Sequence, residues 1–264
     1  MNSYSVFDSH AHYNHSLFEG NGVTILNTLF SQGIVNNVLI PAITYESNFL
    51  REGFPNGVYF GVGVHPKCAS NEHWDGEKRR SIENLCDLPE TVAVKTGLDF
   101  SKARITKDQK ENQISSLKYL IDLANRKGLP LILHVRNAAE EIIEIVNEKP
   151  LNVNAVVHCF TYGTDIAQSM KSVGITKFGI GGMITRDNMD DLRECIKEMP
   201  LSDILLESDA PFVKPKGFNE KINTSKTLID VATNIAELKG LSVSEVVQAT
   251  NHNTMSFLGL TNRK

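Results

Sequence analysis

The stretch TVAVKTGLDFSKARITKDQKENQISSLKYLIDLANRKGLPLILH, residues 91–134, decides the fold. It opens on an apolar run over 91–96, interrupted by Lys95, and closes on another over 131–134. Near-continuous apolar runs are what a parallel strand covered on both faces requires, since alternation is needed only where one face meets water. Between them, Ile114, Leu117, Leu120, Ile121 and Ala124 recur at the spacing of one helix face. That spacing predicts a helix over 107–127, with Gly128 as its stop signal. The unit is strand, helix, strand, and a crossover of this length joins parallel strands.

Outward from this unit the pattern repeats. Further strands are predicted over residues 5–8, 35–41, 58–64, 155–158, 177–182 and 204–207. Further helices are predicted over 23–31, 77–85, 138–146, 164–173, 188–197, 226–238 and 242–250. Eight strands alternating with helices fit one α/β domain over residues 1–264, a single closed (β/α)8 TIM barrel. A doubly wound open sheet would carry a glycine-rich phosphate loop after its first strand, and Asp8-Ser9-His10-Ala11-His12 stands there instead.

A net charge of -4 argues against bulk electrostatic capture of nucleic acid, although a local basic patch survives an acidic average. The cysteines, Cys68, Cys86, Cys159 and Cys195, form no CxxC, which excludes a zinc ribbon and leaves buried, reduced thiols as the expectation. No apolar run reaches the ~18 residues of a membrane span. The first seven residues are too short and polar for a signal peptide. The expectation is a cytoplasmic protein with no membrane association and no obligate protein partner.

Barrel enzymes build their sites at the C-terminal ends of the strands. Five of the eight histidines fall there: His10 and His12 after strand one, His65 after strand three, His134 after strand five and His158 after strand six. Residues i and i+2 of a strand point the same way, so His10 and His12 can reach one centre. Lys95 stands near the end of strand four, followed by Gly97 and Asp99, and Glu207-Ser208-Asp209 closes strand eight. Any one histidine could be a satisfied core residue, but five on one face with a carboxylate form a ligand set for zinc, manganese, nickel or iron. Such a metal activates water and polarises a phosphoryl or carbonyl oxygen. Asp209 has two candidate roles, metal ligand or proton acceptor, beside the plain reading as a helix N-cap. Weaker signals are Lys78-Arg79-Arg80, which reads as a charged helix face, His73 and Trp74, which could line a substrate rim, and Gly179-x-Gly181-Gly182, which reads as close backbone approach.

These residues resemble the TatD family of metal-dependent hydrolases and deoxyribonucleases, within the amidohydrolase-like barrels. Asp8-Ser9-His10-Ala11-His12 is similar to the family's DxHxH motif, Gly63-Val64-His65-Pro66 to its GxHP, and His158-Cys159-Phe160 to its HCF. The segment from Leu129 to Ala138 resembles LPxxxHxRxA, and Leu205 to Pro211 resembles LLETDxP. The resemblance spans nearly the whole chain in order. It implies one or two divalent ions (Zn, Mn, Mg, Ni or Fe), one held by His10, His12 and Asp209, the other by His134 and His158. It implies that His65 contacts the substrate phosphate or a catalytic water, with Arg136 and Glu207 beside them. The implied activity is hydrolysis of a phosphodiester, with DNA as substrate and 3′ exonuclease action.

The family carries a bridging glutamate in a GExGLD segment; here Val94-Lys95-Thr96-Gly97-Leu98-Asp99 puts Lys95 at that position. Three readings follow. Lys95 is carboxylated, and its carbamate bridges the metals, as in amidohydrolase or lactonase-type barrels. Its ammonium replaces one ion and clamps a substrate phosphate. Or the protein is a degenerate relative that only binds a phosphate ligand or a protein. The family's basic-Asn-x-Pro segment after strand eight is also missing, with Lys221-Ile222-Asn223-Thr224-Ser225 in its place.

Overall fold

The computed structural model describes residues 4–43, 53–70 and 76–261. The strands are β1 (Val6–Asp8), β2 (Val35–Ile43), β3 (Val58–Gly63), β4 (Thr91–Asp99), β5 (Leu131–Arg136), β6 (Ala155–His158), β7 (Lys177–Ile180) and β8 (Ile204–Leu206). The helices are α1 (Gly22–Ser31), α2 (Pro66–Ala69), α3 (Gly76–Cys86), α4 (Lys107–Lys127), α5 (Ala139–Glu148), α6 (Thr164–Ser172), α7 (Asp190–Glu198), α8 (Leu228–Lys239) and α9 (Val243–Phe257). All eight strands lie parallel, in chain order, in one sheet. The Ser9 N–H donates to the Leu206 carbonyl at 2.9 Å, which brings the end of β1 against β8 and nearly closes the barrel. This is the TIM-barrel architecture read from the sequence.

Local chemistry sets the helix ends. Thr106 and Gln109 form a capping box at the start of α4, and Gly128 ends it at φ 65°. Ser242 and Glu245 repeat the box at α9. Helix α9 runs seven residues past its predicted end. The polar run Thr250 to Thr254 has loop composition, yet Thr250 and Thr254 donate to carbonyls four residues back. Asn251 bonds the Phe7 N–H and the Ser5 carbonyl, and Asn253 bonds the Leu201 and Ile204 carbonyls. These amides tie α9 under β1 and β8.

Side-chain parity decides what faces the barrel axis. Phe7, Leu39, Ala93, Ile132, Val156 and Leu205 form one cluster, closed from below by Phe257, Leu258 and Leu260 at the end of α9. The alternate residues Val94, Leu131, Leu133, Val157 and Leu206 pack outward with the helices. Two residues further along the same strands, Ala93 gives way to Lys95, Ile132 to His134, Val156 to His158 and Leu205 to Glu207. Period-two alternation therefore aims these four polar side chains into the C-terminal mouth.

Three expectations need correction. Strand β4 runs to Asp99 rather than 96, because Gly97, at φ 147°, lets it lie against β5; a Cβ there would sit 2.0 Å from the His134 carbonyl oxygen. Strand β7 stops at Ile180, where the chain turns into a short 3-10 segment, Gly182–Thr185. No disulfide links the four cysteines, but only Cys86 and Cys195 are buried, while Cys68 is exposed and Cys159 half-buried. Arg79 packs over the Tyr119 ring of α4 at 4.7 Å, in keeping with a helix-face role for Lys78-Arg79-Arg80. Among the described residues, no helix is long and apolar enough to cross a membrane.

Gly97→Ala drives a methyl group into β5 backbone at a φ that side chains rarely adopt. It should cost at least about 2 kcal/mol, seen as a thermal midpoint lower by about 4–8 °C. An unchanged midpoint would mean that β4 and β5 do not need this close approach.

Candidate metal centre

His10 and His12 lie just past β1, in a turn rather than on the strand. Backbone bonds hold the turn: Ala11 N–H to Leu39 O at 3.0 Å, His12 N–H to Ala210 O at 2.6 Å, and Asp209 N–H to His10 O at 2.8 Å. The segment after β8 is thereby laced to the segment after β1. Asp209, at φ 51°, points its carboxylate back at both rings, with Oδ1 3.3 Å from His12 Nε2 and 3.9 Å from His10 Nε2. No helix starts at Asp209, so the N-cap reading does not apply.

The second half of the cluster stacks against the first. The His10 and His158 rings are parallel at 3.9 Å. His134 and His158 are register partners on β5 and β6, and His134 Nδ1 lies 3.0 Å from His158 Nε2. His158 Nδ1 faces Glu207 Oε1 at 3.7 Å, and the same oxygen accepts the Cys159 N–H at 2.5 Å. Gly179 makes room for this carboxylate, since a Cβ there would lie 2.0 Å from Glu207 Oε2. His65 caps α2, its Nδ1 accepting the Lys67 N–H, and its ring meets that of His134 at 4.7 Å. Arg136 is exposed at the end of β5. It lines a cleft of about 320 Å³ with Asn137, Tyr162, Met183 and Asp209.

Lys95 is fully buried on β4, with Nζ 3.5 Å from His10 Nε2. Among the described residues no carboxylate lies within ion-pair distance of it. Burial pushes its pKa down to about 7, against the opposing pull of Glu207 and Asp209. Burial, then the Lys95 charge, holds His10 well below the usual imidazole range; burial, then His10, does the same for His158. Burial also lowers His134 and His65. Neutral imidazole is the ligating form. Burial and the neighbouring Asp209 charge raise Glu207 well above the carboxylate range, an arrangement that a cation beside it would reverse.

The residues fit a divalent ion. The ligand atoms of His10, His12 and Asp209 lie within 4.8 Å of one another, and so do those of His10, His158 and Glu207. Among the described residues, His10 Nδ1 and His158 Nδ1 are buried without a hydrogen-bond partner, while His134 Nε2 and Asp99 Oδ2 face each other at 3.4 Å. Orphaned buried donors and acceptors are rare unless a ligand serves them. The family resemblance implies a pairing of His134 with His158 for the second ion; the carboxylate that gathers with His158 is Glu207, and His10 joins both groups.

Two supporting networks escaped the sequence reading. Asp8 is fully buried and accepts from the N–H groups of His10 and Ser208 and from the hydroxyls of Ser208 and Ser225. Burial nonetheless raises its pKa to about 6. Asp99 presents Oδ2 to His134 Nε2 at 3.4 Å. Burial alone would raise Asp99, but His134 and Ser101 outweigh it and hold its pKa low. Parity with Lys95 was the available signal for Asp99. Asn223, in the segment that departs from the family pattern, is buried and donates to the Ser208 carbonyl at 2.8 Å, shaping the loop after β8. His73 and Trp74 lie outside the described residues.

Comparison with known proteins adds to this geometry. The family model described as "TatD related DNase" matches residues 7–259. An uncharacterized metal-dependent hydrolase of Bacillus subtilis, YabD, is 30% identical over 94% of this chain and 96% of its own. A protein of Erwinia amylovora named 3'-5' ssDNA/RNA exonuclease TatD is 31% identical over 75% of this chain and 77% of its own. The crystal structure of YJJV, a TatD homologue from Escherichia coli, superposes with a TM-score of 0.84 at 26% identity, covering 97% of this chain and 98% of that one. A histidine-rich, carboxylate-bearing barrel mouth, a family match from end to end and a close structural relative converge on one statement: the chain belongs to the TatD family of metal-dependent hydrolases.

Proposed function

We propose that the protein hydrolyses phosphodiester bonds of nucleic acid, acting as a 3′ exonuclease on single strands. The observation that carries this reading is the convergence of His10, His12 and Asp209 within ligand distance of one another at the barrel mouth. The name of the Erwinia relative supports the substrate class. A divalent ion held by these residues supplies a polarised phosphoryl oxygen and a water of lowered pKa.

The chain's own residues do the rest. Asp209, partly exposed beside His12, takes the proton of the attacking water. Arg136, exposed in the cleft wall, offers a planar, bidentate grip on a phosphate. His65, held neutral by burial, stands beside His134 to donate to or accept from the substrate side. Glu207 is buried against His158 and fixes the ring that faces the centre. Four cysteines without a disulfide suit a reducing compartment such as the cytoplasm.

Lys95 takes the place of a bridging carboxylate by carrying carbon dioxide. A buried ammonium with no carboxylate in ion-pair range is costly, so the neutral amine is favoured. Its nitrogen lone pair forms an N–C bond to carbon dioxide, one proton leaves to solvent, and the carbamate oxygens become anionic donors next to His10. The carbamate would add an anionic oxygen donor to the group of His10, His158 and Glu207, which could hold a second ion.

Asp209→Asn and His10→Ala should each lower turnover of a single-stranded oligonucleotide at least about 10³-fold while circular dichroism stays native. Chelation should do the same reversibly. Full activity in either variant would sink the hydrolase reading. Metal analysis should find about two ions per chain in bicarbonate and fewer without it. Lys95→Ala should lose the second ion and regain activity with added acetate or formate, whereas Lys95→Glu should hold two ions without bicarbonate. A stoichiometry that ignores bicarbonate in the wild type would leave Lys95 as an ammonium.

A further inference from the structure

The loop that follows β4 reverses the sign of the chain's charge. Lys102 and Arg104 in the loop, and Lys107 and Lys110 in the first turn of α4, stand against Asp108 and Glu111, the latter paired with Lys107 at 3.5 Å, in a protein whose net charge is -4. This loop, α2 and the start of α4 enclose a second cleft, of about 360 Å³. It adjoins the metal centre, because Asp99 in its wall lies 3.4 Å from His134 and Lys67 on its rim follows His65 by two residues.

The one carboxylate in the cleft is largely shielded from an incoming anion. Asp99 Oδ1 accepts the Ser101 N–H at 3.0 Å and the Ser101 hydroxyl, and the side chain is 2% exposed with Oδ2 between His134 Nε2 at 3.4 Å and Lys67 Nζ at 3.9 Å. Lys102 is exposed, and the Lys67 side chain is 66% exposed although its Nζ stands 3.9 Å from Asp99 Oδ2, so an incoming phosphate would share that ammonium with Asp99. The wall between the two lysines is preset. Gln113 is buried, accepts the Asp99 N–H at 2.8 Å and donates to Ser70 Oγ at 2.7 Å and the Asp99 carbonyl at 3.1 Å. The volume is at the small end of ligand sites, enough for a phosphate with its sugar.

We propose that this cleft is a subsite for the backbone phosphate adjoining the one at the metal centre, gripped by Lys67 and Lys102. The proposal rests on the nuclease reading above and extends it to how the strand is held. A two-lysine grip fits an overall acidic enzyme. It attracts the strand locally, and Lys binds phosphate as a point charge without base preference.

The test compares the wild type with the Lys67→Ala, Lys102→Ala double variant on two substrates. One is a single-stranded oligonucleotide of about ten residues; the other is bis(p-nitrophenyl) phosphate, which has no adjoining phosphate. The ratio of kcat/KM for the oligonucleotide to that for the small diester should fall about tenfold. The slope of log affinity against log salt, measured by fluorescence anisotropy with a metal-free oligonucleotide complex, should shrink by about 1.4 for two lost contacts. The Arg double variant should restore both. An unchanged ratio and slope would overturn the subsite while leaving the nuclease reading intact. If the wild type cleaves neither substrate, the nuclease reading fails, and the salt slope still decides the subsite. Lys102 is exposed and the Lys67–Asp99 pair is long at 3.9 Å, so the thermal midpoint should move by no more than about 4 °C.

Discussion

The Asp8 carboxylate ties together the segments that close the barrel seam beneath the site. A barrel of parallel strands has one seam, between the first strand and the last, and here both are only three residues long. The seam has few ladder bonds of its own. Asp8 supplies four more, reaching the His10 N–H on its own side, Ser208 after β8 and Ser225 before α8. The Tyr13 hydroxyl, 2.7 Å from Ser225 Oγ, extends the same network to the loop after β1. A buried carboxylate is tolerated only when its lone pairs are filled, and this one is. The segments it joins are those that carry His10, His12, Glu207 and Asp209. Seam closure and ligand placement are thus one event.

Parity then sets the chemistry of the mouth. Once Ala93, Ile132, Val156 and Leu205 are committed to the barrel interior, the residues two further along have no choice but to converge. That is why the site is built from Lys95, His134, His158 and Glu207 and why the thin glycines lie around it. Gly63 and Gly97 let β3, β4 and β5 approach closely, and Gly179 leaves the space Glu207 fills. Packing and function impose the same small residues at the same level of the barrel.

Most of this was legible in the sequence. Apolar runs located all eight strands, and strand ends located the five histidines, because both depend on local periodicity. What was not legible depends on distant partners. The Asp8 network joins residues about two hundred positions apart, and nothing in the spacing of serines announces it. Helix α9 was cut short because a Thr/Asn run has the composition of a loop until β1 and β8 supply its hydrogen bonds. Asp99 was placed beyond β4 because the apolar run ends at Thr96, although Lys95, Gly97 and Asp99 share one face of the longer strand.

Lys95 is where the physics is most constrained. An unmodified ammonium there would be fully buried, with no carboxylate in contact, beside an imidazole that gains nothing from a cation. It would also repel the ions that the orphaned nitrogens of His10 and His158 call for. A neutral amine removes the repulsion but adds no anionic donor to the group formed by His10, His158 and Glu207. The carbamate proposed for Lys95 would satisfy both demands, turning the group with the wrong charge into an oxygen donor on β4. It would also make the occupancy of a second metal position depend on carbon dioxide, a dependence that a glutamate on the same strand would not have.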